Sequence, residues 1–128
     1  MIKLLDTNII LRYLVRDNEN QYNEAVGYFK KAEQGKLKLL IKPTVIAEAS
    51  FVLETYYKKT NEEIASSMEV FLSQKWLKVE DRKALLLMWQ WYRQNLHFVD
   101  SYLLACAKIE GIKVLTFDEQ IFKLEADN

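Results

Sequence analysis

Four short apolar runs separated by stretches of helical periodicity constrain the fold of this chain more than any other feature. These runs are residues 2–5, 37–41, 77–79 and 112–116. Strands joined by connections long enough to hold a helix run parallel to one another. The pattern therefore predicts an α/β fold with a mostly parallel central sheet flanked by helices. At 128 residues the chain fits a single domain, 1–128.

Local signals predict where the helices between these strands begin and end. Thr60 and Glu63 have the spacing of a capping box, and Asp81 is expected to cap the helix that follows it. A nearly all-apolar stretch around Trp89 and Trp91 predicts a helix buried on more than one side. Because positions two apart do not face the same core, one indole is a candidate anchor for a partner, with ordinary core packing as the alternative. The predicted helices are residues 9–15, 21–32, 43–57, 61–73, 82–95, 100–111 and 117–124.

The charge of the chain is balanced, with 18 basic and 18 acidic residues. A protein that adheres non-specifically to a polyanion usually has a clear basic excess. Any contact with nucleic acid is therefore expected to be local, brief or mediated by metal ions. The single cysteine, Cys106, cannot form an internal disulfide, and its apolar neighbours predict a buried side chain. The apolar start is too short for a signal peptide, and no run is long enough to cross a membrane, which predicts a cytoplasmic protein.

Four acidic residues stand out by their context. Asp6 and Asp118 each follow a predicted strand, where ligands gather in parallel sheets, whereas Glu48 and Asp100 each stand alone in a long apolar segment. A carboxylate in apolar surroundings is costly to bury unless a cation pairs with it. Because the chain has no histidine or cysteine cluster, oxygen ligands favour Mg²⁺ or Mn²⁺ over zinc.

Three of these acids also have a structural explanation. Asp6, Asp100 and Asp118 stand at predicted helix starts, where a carboxylate commonly caps the helix. Glu48 is predicted to lie in mid-helix and has no capping role.

Three basic residues close in sequence to the acids are candidate phosphate contacts. They are Arg12, Arg16 and Lys42. The alternative is a solvated surface on which they are balanced by acidic neighbours such as Asp17 and Glu19.

Four segments together resemble PIN-domain proteins, in particular the VapC-type toxins of toxin–antitoxin pairs. They are residues 4–14 (LLDTNIILRYL), 45–49 (VIAEA), 98–105 (FVDSYLLA) and 115–118 (LTFD), in the family's order and approximate spacing. The resemblance implies a PIN fold whose acidic pocket binds one or two Mg²⁺ or Mn²⁺ ions and cleaves RNA. It also implies a homodimer and an antitoxin protein that blocks the pocket.

The resemblance assigns roles to individual residues by position. The metal-binding acids match Asp6, Glu48, Asp100 and Asp118. Asn8 matches a polar residue that orients the first acid or a water, and Thr116 matches a hydroxyl that supports the pocket. Ser101 stands where many relatives have a small residue or a further acid.

General chemistry supplies a mechanism for such a site. A metal ion held by Asp6 and Asp100 would lower the pKa of a bound water and generate the nucleophile. Glu48 would complete the ion's shell or accept a proton from that water. In-line attack would then leave a 5′-phosphate and a 3′-hydroxyl.

Two other families with an acid after the first strand fit less well. A haloacid-dehalogenase-like phosphatase needs a second Asp where this chain has Asn8. A receiver domain needs adjacent acids after the first strand and a lysine after the last, yet Asp6 stands alone and residues 116–118 contain no lysine. Two alternatives within the PIN fold stay open: a catalytically inactive RNA- or protein-binding module, and a nuclease of RNA processing outside toxin–antitoxin systems.

Overall fold

The first three predicted strands form a parallel sheet, which confirms the α/β prediction. The computed structural model describes residues 1–126. The strands lie in the order β1 (Ile2–Leu4), β2 (Lys38–Ile41) and β3 (Leu77–Val79). The helices are α1 (Thr7–Leu14), α2 (Glu19–Glu33), α3 (Pro43–Thr55), α4 (Asn61–Leu72), α5 (Arg82–Leu87), α6 (Trp89–Tyr92), α7 (Phe98–Glu110) and α8 (Glu119–Ala126). In this part of the chain no helix has the length and apolar character needed to span a membrane.

The helices that follow β1 and β2 begin at the same end of the sheet. The backbone amide of Leu5 donates to the carbonyl of Leu40 at 2.9 Å, so the two strands end side by side. α1 then begins at Thr7, and α3 begins at Pro43, whose fixed φ suits a first helical position. α3 packs against both α1 and α7. The elements that carry three of the four acids are therefore in contact through α3.

The two predicted helix caps have different outcomes. Thr60 Oγ1 accepts a hydrogen bond from the Glu63 amide at 3.1 Å, and Glu63 Oε1 accepts one from the Thr60 amide at 3.0 Å. The capping box is therefore confirmed. Asp81 is the N-cap residue of α5, as predicted, but it has a left-handed φ of 60° and its side chain makes no capping hydrogen bond. Its carboxylate accepts a hydrogen bond from the Tyr102 hydroxyl.

Both tryptophans of the nearly all-apolar stretch are buried, although Gln90 between them is exposed. The predicted helix 82–95 is divided at Met88, whose carbonyl accepts from the amides of both Trp91 and Tyr92. The tightened turn lets both indoles reach the core: Trp89 is 0% exposed and Trp91 is 2% exposed. The expectation that one of them anchors a partner is therefore wrong. Cys106, predicted to be buried, is half-buried, and burial raises the pKa of its thiol.

The predicted fourth strand, residues 112–116, is not a strand in this structure. α7 ends at Gly111, which has a φ of 68°, and the Ile112 amide turns back to a carbonyl of α7 at 3.0 Å. The Val114 amide donates to Glu125 Oε2 at 2.9 Å. Because these donors are used within the C-terminal segment, they are not available to a sheet. The outer edge of β1 consequently has no partner strand within the described chain.

Candidate active site

Asp6 lies between β1 and α1 with a carboxylate that has no structural task. It is the N-cap of α1 and has extended backbone angles (φ −85°, ψ 153°), yet its side chain makes no capping hydrogen bond. The side chain is exposed, and the described residues offer it no hydrogen bond or ion pair. The capping alternative therefore does not explain Asp6, and both carboxylate oxygens are free to bind a ligand.

Glu48 and Asp100 lie on α3 and α7, the two helices that pack against each other. Glu48 is exposed because the helix places it on a different face from Ile46 and Ala49, which are fully buried. The expectation that apolar neighbours bury this carboxylate is therefore wrong. Asp100 is half-exposed in the first turn of α7, where the helix dipole favours a negative charge. Neither carboxylate has a hydrogen-bonding partner in the part of the chain that is described.

Asp118 differs from the other three acids because its carboxylate caps a helix. Its Oδ1 accepts from the Gln120 amide at 2.8 Å and from the Ile121 amide at 3.2 Å, at the start of α8. Thr116 Oγ1 accepts from the Asp118 backbone amide at 3.0 Å, so this hydroxyl supports the turn that holds the acid. Since residues 112–116 are outside the sheet, Asp118 does not follow a strand. The capping alternative explains Asp118 well.

The two remaining polar residues singled out from the sequence lie beside the acids. Asn8 is exposed in the first turn of α1. Ser101 is fully buried, and its hydroxyl donates to the His97 carbonyl at 2.9 Å. Ser101 therefore faces the core at the start of α7 and is not available to a ligand in this structure.

The three candidate phosphate contacts are each paired with an acid. The ion pairs are Arg12–Asp17 (3.2 Å), Arg16–Glu19 (2.8 Å) and Lys42–Glu80 (2.6 Å). The Tyr57 hydrogen bond to Asp17, together with the nearby Arg12 charge, lowers the pKa of Asp17. The exposed pairs of Arg16 and Lys42 contribute little to stability, so these two cations can exchange partners with a phosphate at small cost. Arg12 is half-buried and also donates to Gln21 and Tyr57, so it is held more firmly.

The acids have the right chemistry for a divalent cation but not the arrangement. Mg²⁺ requires oxygen ligands at roughly 2.0–2.1 Å in a near-octahedral shell. Within residues 1–126, no three His, Cys, Asp or Glu side chains are placed to hold a metal ion. Asp6, Glu48 and Asp100 would have to converge to do so, and Asp118 would have to leave its cap. The described side chains therefore do not fit a bound ion as they stand.

A cavity of about 200 Å³ between α3 and the start of α7 was not predicted from the sequence. It is lined by Ser50, Glu54, Tyr92, His97 and by the apolar residues Ala47, Phe51, Phe98 and Val99. Its one local signal is a pair of polar residues, Ser50 and Glu54, one turn apart on the apolar helix α3. A cavity of about 230 Å³ lies at the other end of α7, around Leu104 and Gly111, away from Asp100.

In parallel α/β sheets ligands bind at the carboxyl ends of the strands, and Asp6 lies at that end of β1. Residues 3–126 match the family model described as PIN domain, and the chain belongs to the PIN domain family. The PIN domain is a nuclease fold, and its members are generally metal-dependent nucleases. No curated protein and no solved structure matches the chain.

Proposed function

We propose that this chain is an endoribonuclease that hydrolyses RNA phosphodiester bonds with Mg²⁺ or Mn²⁺. The chain belongs to the PIN domain family, and the observation that carries the proposal is its Asp6 carboxylate. This carboxylate makes no capping hydrogen bond to α1 and forms no ion pair with a basic side chain among the described residues. An exposed carboxylate repels a phosphodiester unless a cation lies between them. Carboxylate oxygens are the ligands that these hard divalent cations prefer.

Glu48 and Asp100 join Asp6 in this proposal because their carboxylates are also free and their helices are in contact. Asp118 is the weakest of the four candidate ligands because helix α8 already uses its Oδ1. Arg12, Arg16 and Lys42 would position phosphates after exchanging their present partners.

Cleavage of a mixed set of structured and unstructured RNAs tests the proposal. We expect activity with Mg²⁺ or Mn²⁺, none with EDTA, and products that carry a 5′-phosphate and a 3′-hydroxyl. Glu48→Gln should lower the rate at least about tenfold, since a lost carboxylate weakens cation binding. Glu33→Gln is the matched control, because it removes the same charge from an exposed position on α2. Equal rates in the two variants, or activity that survives EDTA, would contradict the proposal.

A second candidate is a non-catalytic PIN-like module that binds RNA or protein. The observation in its favour is that the described acids do not form a set of metal ligands. The same experiment separates the two candidates, because a module of this kind cleaves no RNA under any condition. Metal binding alone does not distinguish them.

The biological setting is a further part of the proposal. The four motif segments favour the toxin of a VapBC-type pair, with an antitoxin partner and a homodimeric form, over a nuclease of general RNA processing. Growth arrest on expression of the wild type but not of Glu48→Gln supports the toxin. Normal growth with an active enzyme supports RNA processing.

A further inference from the structure

We propose that the cavity between α3 and α7 is a nucleobase subsite, and that it prefers bases with amino groups, guanine above the others. The inference rests on the proposed ribonuclease function and deepens it by naming what the substrate presents next to the cleaved bond.

The position of the cavity places it beside the candidate active site. One wall comes from α3, where Ala47, Ser50, Phe51 and Glu54 follow the spacing of a single helix face. The opposite wall comes from the first residues of α7. Glu48 lies one turn before the cavity residue Phe51 on α3, so these two side chains are neighbours on the helix surface. Asp100 follows Val99 in the first turn of α7. An RNA strand that reaches these acids would therefore bring a base to the mouth of the cavity.

The size and walls of the cavity suit one planar ring system. Its volume of about 200 Å³ is below the roughly 300–1,000 Å³ of sites for drug-sized ligands, so it can hold a single base but not a larger ligand. Phe51 and Phe98 line it, and Phe51 is 65% exposed. Proteins that bind single-stranded RNA stack unpaired bases on aromatic side chains of this kind.

Ser50 is the observation that points to a ligand. Its side chain is only 1% exposed, and its Oγ has no hydrogen-bond partner among the described residues. A buried hydroxyl without a partner is unfavourable, and such groups are commonly satisfied by a water or a ligand. Ser50 lines the cavity, and because its hydroxyl is closed to solvent in this structure, a bound base would satisfy it only after displacing an exposed wall side chain such as Phe51.

Glu54 supplies the selectivity. Its Oε2 accepts a hydrogen bond from the Tyr92 hydroxyl at 3.3 Å. Burial, together with the Glu54 charge, raises the pKa of Tyr92, so its hydroxyl stays protonated and remains the donor in this hydrogen bond. A carboxylate has about four acceptor positions, so Glu54 can accept further hydrogen bonds. Guanine offers two adjacent donors, its N1–H and its amino group, whereas cytosine and adenine offer only an amino group and uracil offers only its N3–H.

Titration with nucleoside monophosphates in the presence of Mg²⁺ tests the subsite without any cleavage. In ¹H–¹⁵N spectra we expect GMP to shift the amides of Ser50, Phe51 and Val99, with about tenfold higher affinity than UMP. Glu54→Gln should remove this preference, and it should fold normally because Glu54 is exposed. Ser50→Ala should lower the affinity for all four nucleotides by about threefold. Glu33→Gln, the charge-matched control, should change neither affinity nor preference.

The outcomes separate this inference from the proposed function. RNA cleavage without nucleotide shifts at the cavity overturns the subsite and leaves the ribonuclease standing. A GMP preference that depends on Glu54, in a protein that cleaves no RNA, supports the subsite in an RNA-binding module. Equal binding of all four nucleotides, unaffected by Glu54→Gln, overturns the proposed selectivity. Shifts at Phe51 and Val99 that follow protein concentration alone would assign the cavity to an interface between copies and overturn the subsite.

Discussion

Asp6 and Asp118 occupy similar places in two regions of the molecule, and their carboxylates have different tasks. Each acid follows a short apolar run, and each immediately precedes a helix. Asp6 leaves its oxygens free, although it occupies the N-cap position of α1. Asp118 uses Oδ1 to accept from two backbone amides of α8. The same local pattern therefore yields a free acid at one end of the chain and a structural acid at the other.

The difference between the two regions follows from what precedes each acid. β1 is hydrogen-bonded to β2, so the backbone that leads into Asp6 is fixed by the sheet. Residues 112–116 have no strand partner, and Leu115 and Phe117 are fully exposed, at 102% and 107%. α8 follows a segment without sheet support, so its start depends on a side-chain cap. An acid is free for chemistry where the sheet already fixes the backbone around it.

Replacing each acid by its amide gives the largest expected effect. Asp6→Asn should lower RNA cleavage by about 100-fold or more, because it removes charge from a carboxylate whose only proposed task is to bind a cation. Asp118→Asn should lower cleavage by less than about tenfold, because asparagine still caps a helix. Single-turnover rates on one RNA measure both. Equal losses would show that residues 112–118 join the sheet in the active form and bring Asp118 to the site.

Replacing each acid by alanine should have an intermediate effect, this time on stability. Here the change at Asp118 should have the larger effect and the change at Asp6 the smaller. Asp118→Ala should destabilise α8 by about 1 kcal/mol, since it leaves the Gln120 and Ile121 amides without an acceptor. Asp6→Ala should leave α1 almost unchanged, because no capping hydrogen bond is lost. Amide exchange within α8 and α1 measures the two effects separately. A larger increase in amide exchange over wild type in α1 of Asp6→Ala than in α8 of Asp118→Ala would contradict these assignments.

The smallest expected effect concerns Glu63, a third acid whose task is purely structural. Hydrogen bonding to the Thr60 backbone amide, followed by the Thr60 side chain, lowers the pKa of Glu63 below its ordinary value of 4.5. A carboxyl with a lowered pKa stabilises the folded state above its ordinary pKa, and this contribution is lost as the pH falls through the folded value. The wild type should therefore have a slightly higher Tm than Glu63→Gln at pH 7. This difference in Tm should shrink as the pH is lowered from 5 to 3. A constant difference from pH 7 to pH 3 would contradict this assignment.

Features of the fold that depend on neighbours in sequence could be predicted from the sequence alone. The capping box of Thr60 and Glu63 and the start of α3 at Pro43 need only a few adjacent residues, and both are present. The run 112–116 could not be assigned in the same way. Whether this run joins the sheet beside β1 or donates to Glu125 depends on where those distant residues lie, and the sequence of the run itself does not show this.

The same distinction holds for the candidate site: features that depend on adjacent residues could be predicted, and features that depend on distant ones could not. Asp6 could be placed at the end of β1 because strand and acid are adjacent in sequence. The exposure of Glu48 could not be predicted, because apolar neighbours show that a helix is buried without showing which face is buried. The cavity at Ser50 was missed because its other walls, Tyr92 and Phe98, come from positions more than 40 residues away.

The unpaired edge of β1 has a consequence for the behaviour of the protein in concentrated solution. An open strand edge can hydrogen-bond to a strand of another molecule and so begin aggregation. This edge is only three residues long, and an exposed lysine, Lys3, lies at its centre between Ile2 and Leu4. A second molecule docked there would gain few backbone hydrogen bonds and would bring two lysine charges together. A short edge with a charge at its middle therefore lets the chain leave the side of its sheet open with little risk of aggregation through that edge.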